Sequence, residues 1–180
     1  MNKLTVALGF IALASAPLFA QAPQIPTLQV CNLTSGMLVS GSATVFIAAR
    51  APLGSFTVRV ELTCDANGYP TGSLTIAGLS MSDSTVQGTI KATTFEQLTS
   101  TGKYTPTAYL NGRCSYTTAS GAVVSDGHYW IMFADNHSPN MPTGTPDVIG
   151  FLVFDKTGKR IAYGTGPVQT GNITVSPTGN

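Results

Sequence analysis

From Phe56 to Thr63 apolar and polar side chains alternate. Phe56, Val58, Val60 and Leu62 fall on one side, and Thr57, Arg59, Glu61 and Thr63 on the other. This period of two marks a strand with one buried face. Further short runs of strand character occupy 43–49, 73–79, 85–93, 104–110, 128–134, 148–154, 160–163 and 172–175. Between them lie Asp65-Ala66-Asn67-Gly68, Asn111-Gly112, Asp126-Gly127 and Asp155-Lys156-Thr157-Gly158, where Gly or Asn can take the positive φ of a tight turn. The last joins two apolar runs and reads as a hairpin. Beyond the N-terminal region no window sustains a helical period, apart from a single turn near Thr94 to Ser100. Short strands without crossover helices predict a single all-β domain, an antiparallel β-sandwich or flattened barrel.

The first twenty residues follow a different pattern. Lys3 precedes a nearly continuous apolar run from Leu4 to Ala16, and Ala20-Gln21-Ala22 supplies the small residues of a secretory cleavage site. The run is short for a membrane span and Pro17 breaks it, so 1–20 reads as a signal peptide cleaved after Ala20. Pro23 and Pro26 then suggest an extended lead-in over 21–40, followed by the β-domain over 41–176 and a short tail over 177–180. The expected destination is outside the cytoplasm: secreted, periplasmic or at the cell surface, and not integral to the membrane once processed.

Composition narrows the function classes. The 180-residue chain carries a net charge of +1 and only 9% charged residues, against about a quarter in ordinary globular proteins. No basic face is available to track phosphates, which argues against nucleic acid as a partner. At 43% hydrophobic the chain is too apolar for disorder.

Three cysteines, Cys31, Cys64 and Cys114, allow one disulfide and one odd thiol in an oxidising compartment. Cys64 ends the clearest strand and Cys114 follows the Asn111-Gly112 pair, which favours Cys64 with Cys114. The two histidines, His128 and His137, form no zinc motif; with Met141 or a thiol they are the donors of an alternative copper-binding redox reading. The loop from Asp135 to Asp147 is rich in oxygen donors, with Asp135, Asn136, Asn140 and Asp147 as calcium-type ligands. Its spacing matches no established calcium loop, and turn hydrogen bonding by the two aspartates is the favoured role. No cofactor is therefore assigned.

Catalytic motifs are weak. Ser125-Asp126-Gly127-His128 contains triad residue types, but adjacency in a turn does not make them converge. Tyr104, Tyr109, Tyr116, Tyr129 and Trp130 are the residue types of a carbohydrate strip, but on strands such rings more often fill the core or brace cross-strand pairs. Asn32, Asn136 and Asn172 head glycosylation-type triplets.

The run Gly88-Thr89-Ile90-Lys91-Ala92-Thr93, the segment Tyr109-Leu110-Asn111-Gly112, Tyr129 to Asn136, Thr145 to Phe151 and the closing Gly171-Asn172-Ile173-Thr174-Val175 resemble the post-COAP type of module. The resemblance spans roughly 41–176 and implies a small β-sandwich of secreted bacterial proteins. The expectation drawn from the whole chain is a structural, adhesive or accessory module of the envelope without intrinsic catalysis. A cell-surface protein or a polysaccharide is the expected partner, and the segment from Asp135 to Asp147 the expected functional surface.

Overall fold

The computed structural model describes residues 37–47, 54–79, 88–101, 105–117, 120–137 and 144–176. Cys31, Tyr104, Asn140 and Met141, with the signal-peptide and most of the lead-in region, lie outside the described residues. All regular structure among those described is β: β1 (Met37–Ile47), β2 (Gly54–Cys64), β3 (Pro70–Leu79), β4 (Gly88–Ala92), β5 (Gln97–Thr101), β6 (Thr107–Thr117), β7 (Val123–Ala134), β8 (Val148–Phe154) and β9 (Arg160–Val175). β1 begins at Met37, inside the stretch expected to be lead-in.

Every neighbouring pair is antiparallel, and the order follows the chain until β9 returns to β1. β4 bonds to β3 on one side and to β6 on the other, which closes the sheet. β5 continues β4 along the same flank of β6, Gln97 to Thr101 facing Asn111 to Thr107. β4 and β5 thus share one position in an eight-stranded antiparallel barrel. The sandwich alternative is corrected: a sandwich needs two sheets, and here one sheet meets its own first strand.

The helical turn expected at Thr94 to Ser100 is instead a bulge followed by β5. Thr93 and Thr94 both donate their N–H to the Arg113 carbonyl, at 2.8 and 3.3 Å, and Glu96 N–H donates to the Asn111 carbonyl. The extra residues break the period of two that would have revealed the strand.

Two expected turns are also corrected. Asn111-Gly112 lies inside β6, and Gly112 serves a close approach, since a Cβ there would sit 2.1 Å from the Thr94 carbonyl oxygen. Asp126-Gly127 lies inside β7, where Asp126 at φ 66° marks a bulge. The outer hairpins form as read. Asp65 accepts the N–H groups of Asn67 and Tyr69, Asp155 accepts those of Thr157 and Lys159, and Gly68 and Gly158 take φ 80° and 82°.

The barrel interior is filled by the inward alternates, among them Phe56, Leu62, Tyr129, Phe133, Ile149 and Ile173, each essentially inaccessible. Phe151 meets Phe56 edge to face at 4.8 Å. Cys114 is a free, buried thiol on β6, so the Cys64–Cys114 disulfide is corrected. Three strand positions separate β2 from β6 around the wall, about 14 Å at normal spacing, twice what a disulfide spans. Cys64 is engaged elsewhere.

Candidate functional site

Asp135 and Asp147 close the strands on either side of the segment between β7 and β8, and both are buried. β9 outruns β8 at this end of the barrel: β8 begins at Val148 opposite Pro167, whereas β9 continues along β1 to Val175. Its unpaired N–H groups need acceptors. The Val168 N–H donates to the Asp147 carbonyl, Ile173 N–H to Asp147 Oδ2 at 3.1 Å, and Val175 N–H to Asp135 Oδ2 at 3.0 Å. The carboxylates thus stand in for the missing strand.

Their other oxygens organise the loop. Asp147 Oδ1 accepts the Asn136 N–H at 2.9 Å and lies 2.8 Å from His137 Nδ1, while Asp135 Oδ1 accepts the His137 N–H at 3.0 Å. One donor atom each of Asp135, His137 and Asp147 falls within 4.8 Å of the others. All four carboxylate oxygens are therefore committed to N–H groups of this chain, and the Asn136 side-chain amide is turned to the Pro146 carbonyl at 2.7 Å. Such an arrangement anchors the far end of β9 and the loop after β7.

The two histidines do not converge. His128 lies along β7 opposite Arg113 and Phe154, about 20 Å of extended strand before Ala134, and His137 lies beyond that end. Among the described residues no side-chain hydrogen bond joins Ser125, Asp126 and His128, which belong to β7 itself.

The aromatic residues divide between the two sides of the wall. Tyr116 and Tyr129 face inward; the Tyr129 hydroxyl donates to the Thr94 carbonyl at 3.0 Å, and burial pushes its ionisation well above the usual phenol range. Burial likewise pushes the Cys114 thiol up to about 11. Tyr109 and Trp130 face outward, 53% and 59% exposed, with Leu152 at 38%.

These outward residues line a groove of about 490 Å³ across β6 to β9. Register sets its layout. Trp130 lies opposite Asn111 on one side and Leu152 on the other, and Leu152 lies opposite Tyr163. In the adjacent row Tyr109 faces Met132, Met132 faces Gly150, and Gly150 faces Thr165. The Arg160 guanidinium lies over the Tyr163 ring, 4.1 Å from its centroid, and holds it at the margin. Among the described residues that line it, none is Asp, Glu, Lys, Arg or His.

The outer face of β1 to β3 is the opposite in character. Its hollow is lined by Ser40, Ser42, Arg59, Glu61, Ser73 and Thr75, a solvated face of small polar and charged groups. The rings that the sequence named as a strip are thus split, and Leu152, Met132 and Tyr163, which carry no motif, complete the groove. Only the outward register of β7, β8 and β9 reveals them.

No family model, curated protein or solved structure matches this chain. The site is read from its own chemistry.

Proposed function

We propose that the protein is a non-catalytic adhesive or accessory module of the secreted or envelope class, binding through the groove on the outer face of β6 to β9. One observation carries this reading: large apolar side chains are held in water over that groove on a barrel whose opposite outer face is polar. Exposed patches of this kind mark interaction sites, because leaving rings in water gains nothing for folding. The filled apolar interior and the polar exterior of β1 to β3 are the reverse of a membrane-spanning barrel, which supports a module that works in water. The apolar segment at Leu4 to Ala16 and the likeness to the post-COAP modules favour the same compartment.

The test is co-sedimentation of the protein with isolated cell-envelope material. Trp130→Ala and Leu152→Ser should fold normally and lose binding. Undiminished binding by both variants would remove the groove from the function.

A further inference from the structure

The groove is uncharged, small and open, and each property restricts its occupant. Because no lining side chain among the described residues is ionic, a phosphate, an acidic polysaccharide or a charged peptide would lose hydration and find no counter-charge. Of the arginines beside it, Arg160 is already stacked on Tyr163 and Arg113 is paired with Glu96 at 3.5 Å.

Its outward apolar set is Tyr109, Trp130, Met132, Leu152 and Tyr163, a small patch beside the roughly 20 to 30 residues a side of a specific protein interface. A second copy of the chain or a folded partner would bury too little here. Openness decides the rest. With Tyr109 and Trp130 more than half exposed, an occupant keeps its far side in water, so it must itself be apolar on one face and polar at its edges. A pyranose has that construction, with C–H faces that meet the negative face of an aromatic ring and hydroxyls around the rim. An acyl chain would leave half its methylenes wet.

Resting on the groove as the binding surface, we propose that it takes a neutral glycan chain lying across the strands from Tyr109 through Trp130 to Tyr163. This oblique path crosses β6, β7, β8 and β9, about 14 Å at normal strand spacing, which is the extent of a short oligosaccharide. Gly150 keeps the trough open: a Cβ there would meet Thr165 Oγ1 at 2.9 Å. Thr165, exposed at the trough edge, offers a hydroxyl to the sugar rim.

Trp130 is the only tryptophan in the chain, so its fluorescence reports the groove alone. The experiment titrates the native protein with a panel of neutral hexasaccharides of glucose, mannose, xylose and N-acetylglucosamine, with a galacturonate hexamer as acidic control. Iodide quenching of Trp130 is read throughout. At least one neutral hexamer should saturably shift the emission and shield Trp130, and the acidic hexamer should do neither. Calorimetry should show binding weakened at least tenfold in Tyr109→Ala and in Gly150→Val, with folding checked by melting temperature. If envelope material shields Trp130 while no neutral hexamer does, the glycan assignment falls and the groove remains the binding surface. If neither shields it, both fall. A concentration-dependent dimer abolished by Trp130→Ala would make the groove a self-interface and overturn the proposal.

Discussion

Asp147 Oδ2 accepts the backbone N–H of Ile173 at 3.1 Å, tying the start of β8 to the far end of β9. Among the described residues no strand serves that N–H on this side, because β8 has not yet begun where Ile173 sits. Together with the Asp135 contact to Val175, it seals the seam where the last strand passes from one neighbour to the other.

Removing that seal should be costly. Asp147→Ala strands the buried Ile173 N–H and releases Asn136 and His137, and should lower stability by about 3 kcal/mol, more than Asp135→Ala. Urea denaturation of the two variants beside wild type measures the difference; equal losses would show that the complete burial of Asp147 adds nothing. Added calcium should leave the wild-type midpoint unchanged, as expected of carboxylates that serve as acceptors for strand and loop N–H groups; an upward shift would assign an ion to the pair.

Alkaline pH should weaken the fold in a defined window. Cys114 ionises near 9.0 when exposed in the unfolded chain, but burial in the barrel pushes it up to about 11. Its contribution is therefore fully present below pH 9 and declines as pH rises toward 11, because only the unfolded chain releases the proton there. Tyr129 adds to the same trend at higher pH. Melting temperature followed from pH 7 to 11 should fall, and Cys114→Ala should flatten the 9 to 11 portion relative to its own value at pH 7.

With Cys114 held as a buried thiol, the pairing left to the remaining cysteines in an oxidising compartment is Cys31 with Cys64. Peptide mapping without reductant should find that bridge and an unmodified Cys114. In the chain-entropy account a loop of that length stabilises by roughly 4 kcal/mol. Recovery of a Cys64–Cys114 peptide would contradict the fold.

Gly112→Ala probes the bulge between β4 and β5. Its Cβ would lie 2.1 Å from the Thr94 carbonyl oxygen and 2.9 Å from the Tyr129 hydroxyl, so the bulge and the buried phenol must both move. A loss of about 2 kcal/mol or more is expected. A control at Gly121→Ala, where a Cβ meets none of the described residues, should cost only the strain of φ 84°, about 1 kcal/mol.

What the sequence settles alone is local. Phe56 to Leu62 had to be a half-buried strand because side chains on a pleated backbone alternate, and Asp65 to Gly68 and Asp155 to Gly158 had to turn because their own atoms satisfy the turn N–H groups. The aspartates at 135 and 147 could be recognised as acceptors at strand margins, but not the donors they serve, Ile173 and Val175, which lie 26 and 40 residues away in sequence.

Closure of the sheet was decided by tertiary structure, because period two says that neighbours face opposite sides without saying whether the second layer is another sheet or the same one returning. The same ambiguity governs Tyr129 and Trp130. Adjacent on β7, they must point apart, and only the curvature of the closed wall puts Tyr129 in the core and Trp130 in water. Asn111-Gly112 shows the limit from the other direction. A glycine that the chain alone presents as a turn is, in the barrel, the space that the Thr94 carbonyl occupies.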